Sequence, residues 1–170
     1  MKRLLFYLLL ILQIAILFLF GVQYYFIDDY GRTVQLLSKH EEMTDTYGSY
    51  NQHTAYIDYE INFIAADAWE IAEEVDYNTK IYVLLDADSD GVFHVVKATD
   101  RKIDAEQDQV VFQGKYQYYN DMQKEYHVTY GIESFHPDFD FDHSGRNQSR
   151  ITVQLAPWGQ KKVTHIENLQ

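Results

Sequence analysis

The sequence predicts a mainly β protein, an antiparallel β-sandwich or partly open β-barrel with one short inserted helix, standing behind a single N-terminal transmembrane helix. Two observations carry that reading. Residues 4–27, LLFYLLLILQIAILFLFGVQYYFI, hold no charged side chain. Beyond them, short apolar runs alternate with polar residues at a spacing of two, the period at which a strand turns one face to a core and the other to water.

The apolar run comes first. A 24-residue helix rising about 1.5 Å per residue reaches roughly 36 Å, more than the ~30 Å hydrocarbon core of a bilayer. Gln13 is the one strongly polar residue deep inside it, and Tyr24, Tyr25 and Phe26 stand where an aromatic belt meets the interface. A cleaved secretory signal has a shorter apolar stretch, ~7–15 residues, and a small-x-small cleavage site. Here Gly21-Val22-Gln23 is followed by two bulky tyrosines. The run is therefore expected to remain as a signal-anchor, dividing the chain into a transmembrane segment, 1–27, and a β-rich domain, 28–170. Lys2 and Arg3 precede the run while Asp28 and Asp29 follow it, which places the N-terminus in the cytoplasm and the domain outside. With no cysteine, that domain has to hold together without disulfides.

Within the domain, RTVQLL reads as a first strand shortly after the anchor. TAYIDYEINF reads as another, with Ile57, Tyr59, Ile61 and Phe63 on the core face and Tyr56, Asp58, Glu60 and Asn62 on the solvent face. In IAADAWEIAEEV, residues Ile64, Ala68, Ile71, Ala72 and Val75 share one side at helical spacing, which predicts the inserted helix over 65–75. KIYVLL, VFHVVKA, QVVFQGKYQY and EYHVTYGIESF follow as strands, then RITVQL and KKVTHIE about an APWGQ turn.

All 26 acidic residues, and 12 of the 14 basic ones, follow the anchor, leaving the domain a net −14. Such a surface offers no basic patch to neutralise phosphates, which excludes nucleic acid as a partner.

DADSDG, residues 86–91, opens like a calcium-binding EF-hand loop, with Asp86, Asp88 and Asp90 at ligand positions and Gly91 at the sharp turn. The loop's twelfth position, where a bidentate glutamate belongs, is Lys97, and both flanks read as strands. The stretch is therefore expected to be a hairpin turn, with a divalent cation as the lesser alternative. HPDFDFDHSG sets His136, Asp138, Asp140, Asp142 and His143 close together and is the better place for a metal, although a solvated loop has the same composition. His94 and His127 lie inside strands and are expected to pack or face solvent. Ser38 and Lys39 are neighbours on a strand and point to opposite faces, so they form no catalytic dyad. The sequence contains no H-E-x-x-H, no G-x-S-x-G and no phosphate-binding glycine loop. Asn147-Gln148-Ser149 matches the N-glycosylation pattern, a tripeptide common by chance. The expectation is a non-enzymatic protein without a cofactor.

VTYGIESF carries a resemblance. Tyr130-Gly131-Ile132-Glu133-Ser134-Phe135 resembles the Y-G-I-E-S-aromatic segment of the GDYXXLXY proteins, a bacterial membrane-anchored family of uncharacterised function. The anchor, YIDYEI, IYVLLDADSDGVFHVVKA and VVFQGKY are similar to that family's pieces in the same order, over roughly residues 1–135. At the name-giving motif the chain departs, with Gln52, His53 and Thr54 where Gly, Asp and Tyr are expected. The resemblance implies a single-pass protein of the bacterial cell membrane with an extracytoplasmic domain, an accessory to a multi-pass membrane protein. On this reading Tyr130, Gly131, Glu133 and Phe135 are the candidate interaction residues. Glu133 reads equally as a strand-end carboxylate bonding local backbone donors. The alternative function is an extracytoplasmic sensor or binding module for a cation or cationic ligand, held by the acidic stretches.

Overall fold

The computed structural model describes residues 2–39, 55–135 and 148–169. A helix, α1 (Lys2–Tyr30), leads into ten strands: β1 (Arg32–Leu37), β2 (Ala55–Tyr56), β3 (Phe63–Ala65), β4 (Lys80–Ala87), β5 (Phe93–Thr99), β6 (Val110–Asn120), β7 (Glu125–Thr129), β8 (Ser134–Phe135), β9 (Ser149–Leu155) and β10 (Lys161–Asn168). The protein is mainly β, and its ladders are antiparallel.

α1 has 29 residues. From 6 to 19 every side chain is exposed, as befits a helix that is apolar all round and has no protein neighbour there. Among the described residues, no helix is long and apolar enough to cross a membrane. The last turn of α1 is different, because Ile27 is completely buried, Asp28 meets Lys162 Nζ at 2.8 Å, and the helix touches β9. Gly31 closes the helix, its N–H donating to Ile27 O at 2.9 Å. A Cβ there would collide with that same carbonyl and press on Gln154.

Three strands, β1-β9-β10, form one sheet, and β3-β7-β6-β4-β5 form the larger one, with β2 and β8 paired apart. Alternation builds the core as the sequence predicts. Val34 and Leu36 of β1 and Ile151 and Val153 of β9 meet Ile81, Val83 and Leu85 of β4, Phe112 of β6 and Val128 of β7 in one cluster. Isolated bridges join Gln35 of β1 to Val92, just before β5, and Ser38, just after β1, to Tyr59.

Three expectations are corrected. EYHVTYGIESF is not one strand but two, β7 and β8, with residues 130–133 between them. The helix over 65–75 does not form; only Ala66–Ala68 makes a single 3-10 turn. Glu70 N–H donates to Ala98 O at 2.9 Å, and Trp69 bridges Ala98, so the segment runs extended along the edge of β5. Ala68, Ile71 and Val75 still pack against the core, which satisfies the same apolar residues without a helix. TAYIDYEINF is not one strand either. A 3-10 turn, Glu60–Asn62, interrupts it and turns Asn62 inward to zero exposure.

Gly114 lies mid-strand in β6, opposite Ile81 of β4. A Cβ at that position would run into Val128 Cγ1, with Thr129 O at 2.9 Å and Tyr130 Cδ1 at 3.0 Å. The absent side chain lets the Tyr130 ring lie close to the sheet, edge-on to Phe112 at 5.7 Å between centroids.

Candidate functional site

The residues singled out in Tyr130-Gly131-Ile132-Glu133 do come together with a second segment, and they do so inside the protein. Tyr59-Glu60-Ile61-Asn62 and Tyr130-Gly131-Ile132-Glu133 share the pattern Tyr-x-Ile-polar, and their last residues are 71 positions apart. Each tyrosine hydroxyl donates to the isoleucine carbonyl of the other segment, Tyr59 to Ile132 O at 2.8 Å and Tyr130 to Ile61 O at 2.7 Å. Each tyrosine N–H donates to the polar side chain three residues on, Tyr59 to Asn62 Oδ1 at 2.7 Å and Tyr130 to Glu133 Oε1. Asn62 Nδ2 then joins the halves, donating to Glu133 Oε1 at 2.9 Å and to Val128 O at 2.7 Å. Gly131, free to take φ +77°, donates its N–H to Glu133 Oε2 at 2.8 Å. The result is a reciprocal, roughly two-fold clasp.

Tyr130 and Glu133 are each 5% exposed, so their side chains are spent on the chain's own backbone. Gly131 is exposed; Phe135 pairs with Ala55, and its side chain lies outside what is described. A buried carboxylate is retained because three N–H donors surround it. Lys161 Nζ adds to the cage by donating to Tyr130 O at 3.1 Å and Gln113 O at 3.0 Å.

Burial, and then the charge of Glu133, push the Tyr59 and Tyr130 phenols well above their ordinary value of 10.0. Burial lowers Lys161, with Glu133 opposing it. The signs separate. A lysine depressed in the fold makes stability rise with pH only until about 10.5, the unfolded value. Tyrosines raised in the fold stabilise fully below about 10 and lose that contribution as pH climbs, at roughly 1.4 kcal/mol per unit for each phenol. Cooperative alkaline unfolding is therefore expected above pH 10.5. Tyr59→Phe and Tyr130→Phe should shift its midpoint upward relative to their own neutral-pH stability, measured by tyrosinate absorbance alongside far-UV circular dichroism.

A second cluster lies at the end of β1 away from α1, where Lys39 N–H donates to Asp58 O at 2.8 Å. His127 is sandwiched between Tyr118 and Phe63, with centroids at 4.8 and 4.9 Å. Its Nε2 stands 3.9 Å from Asp58 Oδ1. Among the described residues, His127 Nδ1 and Asp58 Oδ1 are buried without a hydrogen-bond partner. Lys39 Nζ sits 3.3 Å above the Phe63 ring and 3.5 Å from Glu125. Tyr56 and Tyr118 are about half exposed, at 54% and 51%, and burial together with Asp58 pushes the Tyr56 phenol up to about 12. Chemically this is an aromatic surface with an imidazole set into it. Composition alone hid it, because its members come from four separate strands, β2, β3, β6 and β7, and from the residues that follow β1 and β2.

The acidic turn is a hairpin, as predicted. Asp88 Oδ1 accepts from the N–H groups of Asp90 and Val92, both at 2.9 Å, and Oδ2 lies 3.0 Å from His94 Nε2. His94 is the leading cause that holds Asp88 below its usual value. Asp86 receives Gln109 Nε2 at 3.2 Å. Two of the three turn carboxylates are thus engaged within the fold, and among the described residues no group of three or more acidic or histidine side chains is placed to hold a metal. His136, Asp138, Asp140, Asp142 and His143 lie outside the described residues. Ser38 Oγ accepts from Ser149 N–H at 2.7 Å, turned away from Lys39.

No family model, curated protein or solved structure matches the chain.

Proposed function

We propose that the protein is a single-pass membrane protein whose β domain stands outside the cytoplasm and serves another membrane protein as a non-enzymatic accessory. The observation that carries the reading is residues 4–27, charge-free between Lys2-Arg3 and Asp28-Asp29, running as one helix into the domain. The union is close, since Ile27 is buried and Asp28 is paired with Lys162. A head fixed in this way stays within reach of neighbours in the same bilayer. The two sheets, bridged at Gln35–Val92, suit a sandwich with one edge partly closed. The GDYXXLXY resemblance supports the same assignment, a bacterial cell-membrane accessory.

The half-exposed aromatic surface of Tyr56, Tyr118 and Phe63 about His127 is the docking face this reading favours. It lies at the end of the domain opposite α1, where aromatic side chains give large contact area at low entropic cost. The cation-binding alternative has less support, because Asp88 already spends its oxygens on the turn and on His94. Affinity purification of the tagged full chain from detergent-solubilised membranes is expected to recover one multi-pass protein. Tyr118→Ala should weaken that recovery by far more than its small lowering of the melting temperature, from the lost stacking on His127, accounts for. Repeated recovery of the chain alone after mild crosslinking would reject the accessory role.

A further inference from the structure

We propose that the β9–β10 turn, residues 156–160, is a second lipid contact, with Trp158 seated in the headgroup layer of the bilayer that α1 enters. The proposal rests on the anchored reading above and adds to it a resting pose for the domain.

Register supplies the position. Arg32, the first residue of β1, pairs with Leu155, and so does Lys161. The turn therefore leaves the sheet at the end from which α1 departs. The helix does not swing away from it. Asp28 to Lys162, the burial of Ile27 and the close approach of Gly31 to Gln154 fix the last helical turn against this hairpin. The end of α1 and the tip of the hairpin thus share a level, the one at which the charge-free run gives way to Asp28 and Asp29.

Chemistry supplies the occupant. Trp158 is 44% exposed, Tyr30 66% and Phe26 44%, three aromatic residues at one level on neighbouring elements. Tryptophan and tyrosine favour the membrane–water boundary, where an apolar ring and a polar edge are both served. The indole N–H of Trp158 already donates to Gln160 Oε1 at 3.1 Å, which lowers the cost of taking it out of water. Between Tyr30 and the tip opens a groove of about 300 Å³, walled by Leu155, Ala156 and Pro157.

The tip is stiff enough to hold this pose. Ala156 N–H donates to Gln160 O and Gly159 N–H to Ala156 O, both at 2.8 Å. Pro157 presets the turn, and Gly159 takes φ +89°. Asp28 and Asp29 border the site together with Arg32 and Lys162, and Asp28 is paired with Lys162, so its charges are nearly balanced and a zwitterionic headgroup suits it.

The chain has two tryptophans, and Trp69 is 9% exposed, stacked on Tyr126. The full chain and its Trp158→Phe variant would be reconstituted into phosphatidylcholine vesicles, with and without bromine on the upper acyl carbons. The emission difference between the two proteins reports Trp158 without disturbing the core. It is expected to be blue-shifted and mostly lost in brominated vesicles, while the Trp69 emission of Trp158→Phe is unchanged. Trp158 emission untouched by bromine, in a chain that resists carbonate extraction, overturns the lipid contact and leaves the anchor standing. A chain that carbonate strips from the vesicles overturns both.

Discussion

Glu133→Ala is expected to destabilise the domain by about 3–5 kcal/mol, because it strands the Tyr130 N–H and the Asn62 amide, buried donors that have no route to water. The N–H groups of Tyr130 and Gly131 and the amide of Asn62 all point at that carboxylate, inside a region where Tyr59, Asn62 and Ile132 are also buried. Glu133→Gln should cost less, about 2 kcal/mol, since one oxygen still accepts while the new NH2 group confronts a donor. Urea unfolding of the full chain in non-ionic detergent, followed by Trp69 fluorescence, measures both. Asn62→Ala combined with Glu133→Ala should fall well short of the summed single losses, because the two side chains belong to one network. Additive losses would mean that the clasp is two independent turns. A Glu133→Ala loss below about 1 kcal/mol would mean that the carboxylate carries little of the fold.

The second large effect belongs to Gly114→Val, expected to cost about 3 kcal/mol by overpacking. Its side chain would enter space already held by Val128, Thr129 O and the Tyr130 ring, and none of these can retreat without opening the β6–β7 ladder. Gly131→Ala is the useful contrast. Nothing lies within 4 Å of its added methyl, yet the residue sits at φ +77°, so the loss there is backbone strain alone, about 1–2 kcal/mol. Thermal melts of the two variants separate crowding from strain. Equal losses would refute the packing argument at Gly114.

Much of the β framework could be read from the sequence because it depends on local alternation. RTVQLL and RITVQL alternate Val, Ile or Leu with polar residues, KIYVLL and VFHVVKA are compact apolar runs rich in Val, and each forms the strand expected. The acidic turn was equally legible, since Asp and Gly at fixed offsets answer to backbone geometry within six residues. What escaped was settled by distant partners. Residues 65–75 carry a helical spacing of apolar side chains, but Ala98 O on β5 takes the Glu70 N–H and Tyr126 takes the face of Trp69. Those tertiary bonds override a short local preference. Asn62 was assigned to solvent by strict alternation and is in fact the pin of the clasp. The repeated Tyr-x-Ile-polar pattern was the signal that would have revealed it. For Glu133 the two readings of the sequence were a partner contact and a carboxylate serving nearby backbone; its oxygens accept from the N–H groups of Tyr130 and Gly131. The His127 surface had no local signature at all.

β1 emerges from the ribosome shortly after α1, yet its partner β9 is the ninth of the ten described strands. The bonds between them join residues 111 and 121 positions apart. Closing loops of that length before any pairing is rewarded makes for slow folding, on the millisecond-to-second scale of non-local β topologies. A nascent chain interrupted before β9 would leave β1 as a bare edge, open to pairing with any extended neighbour. Stops placed before β9 should therefore yield aggregates rather than a smaller folded domain.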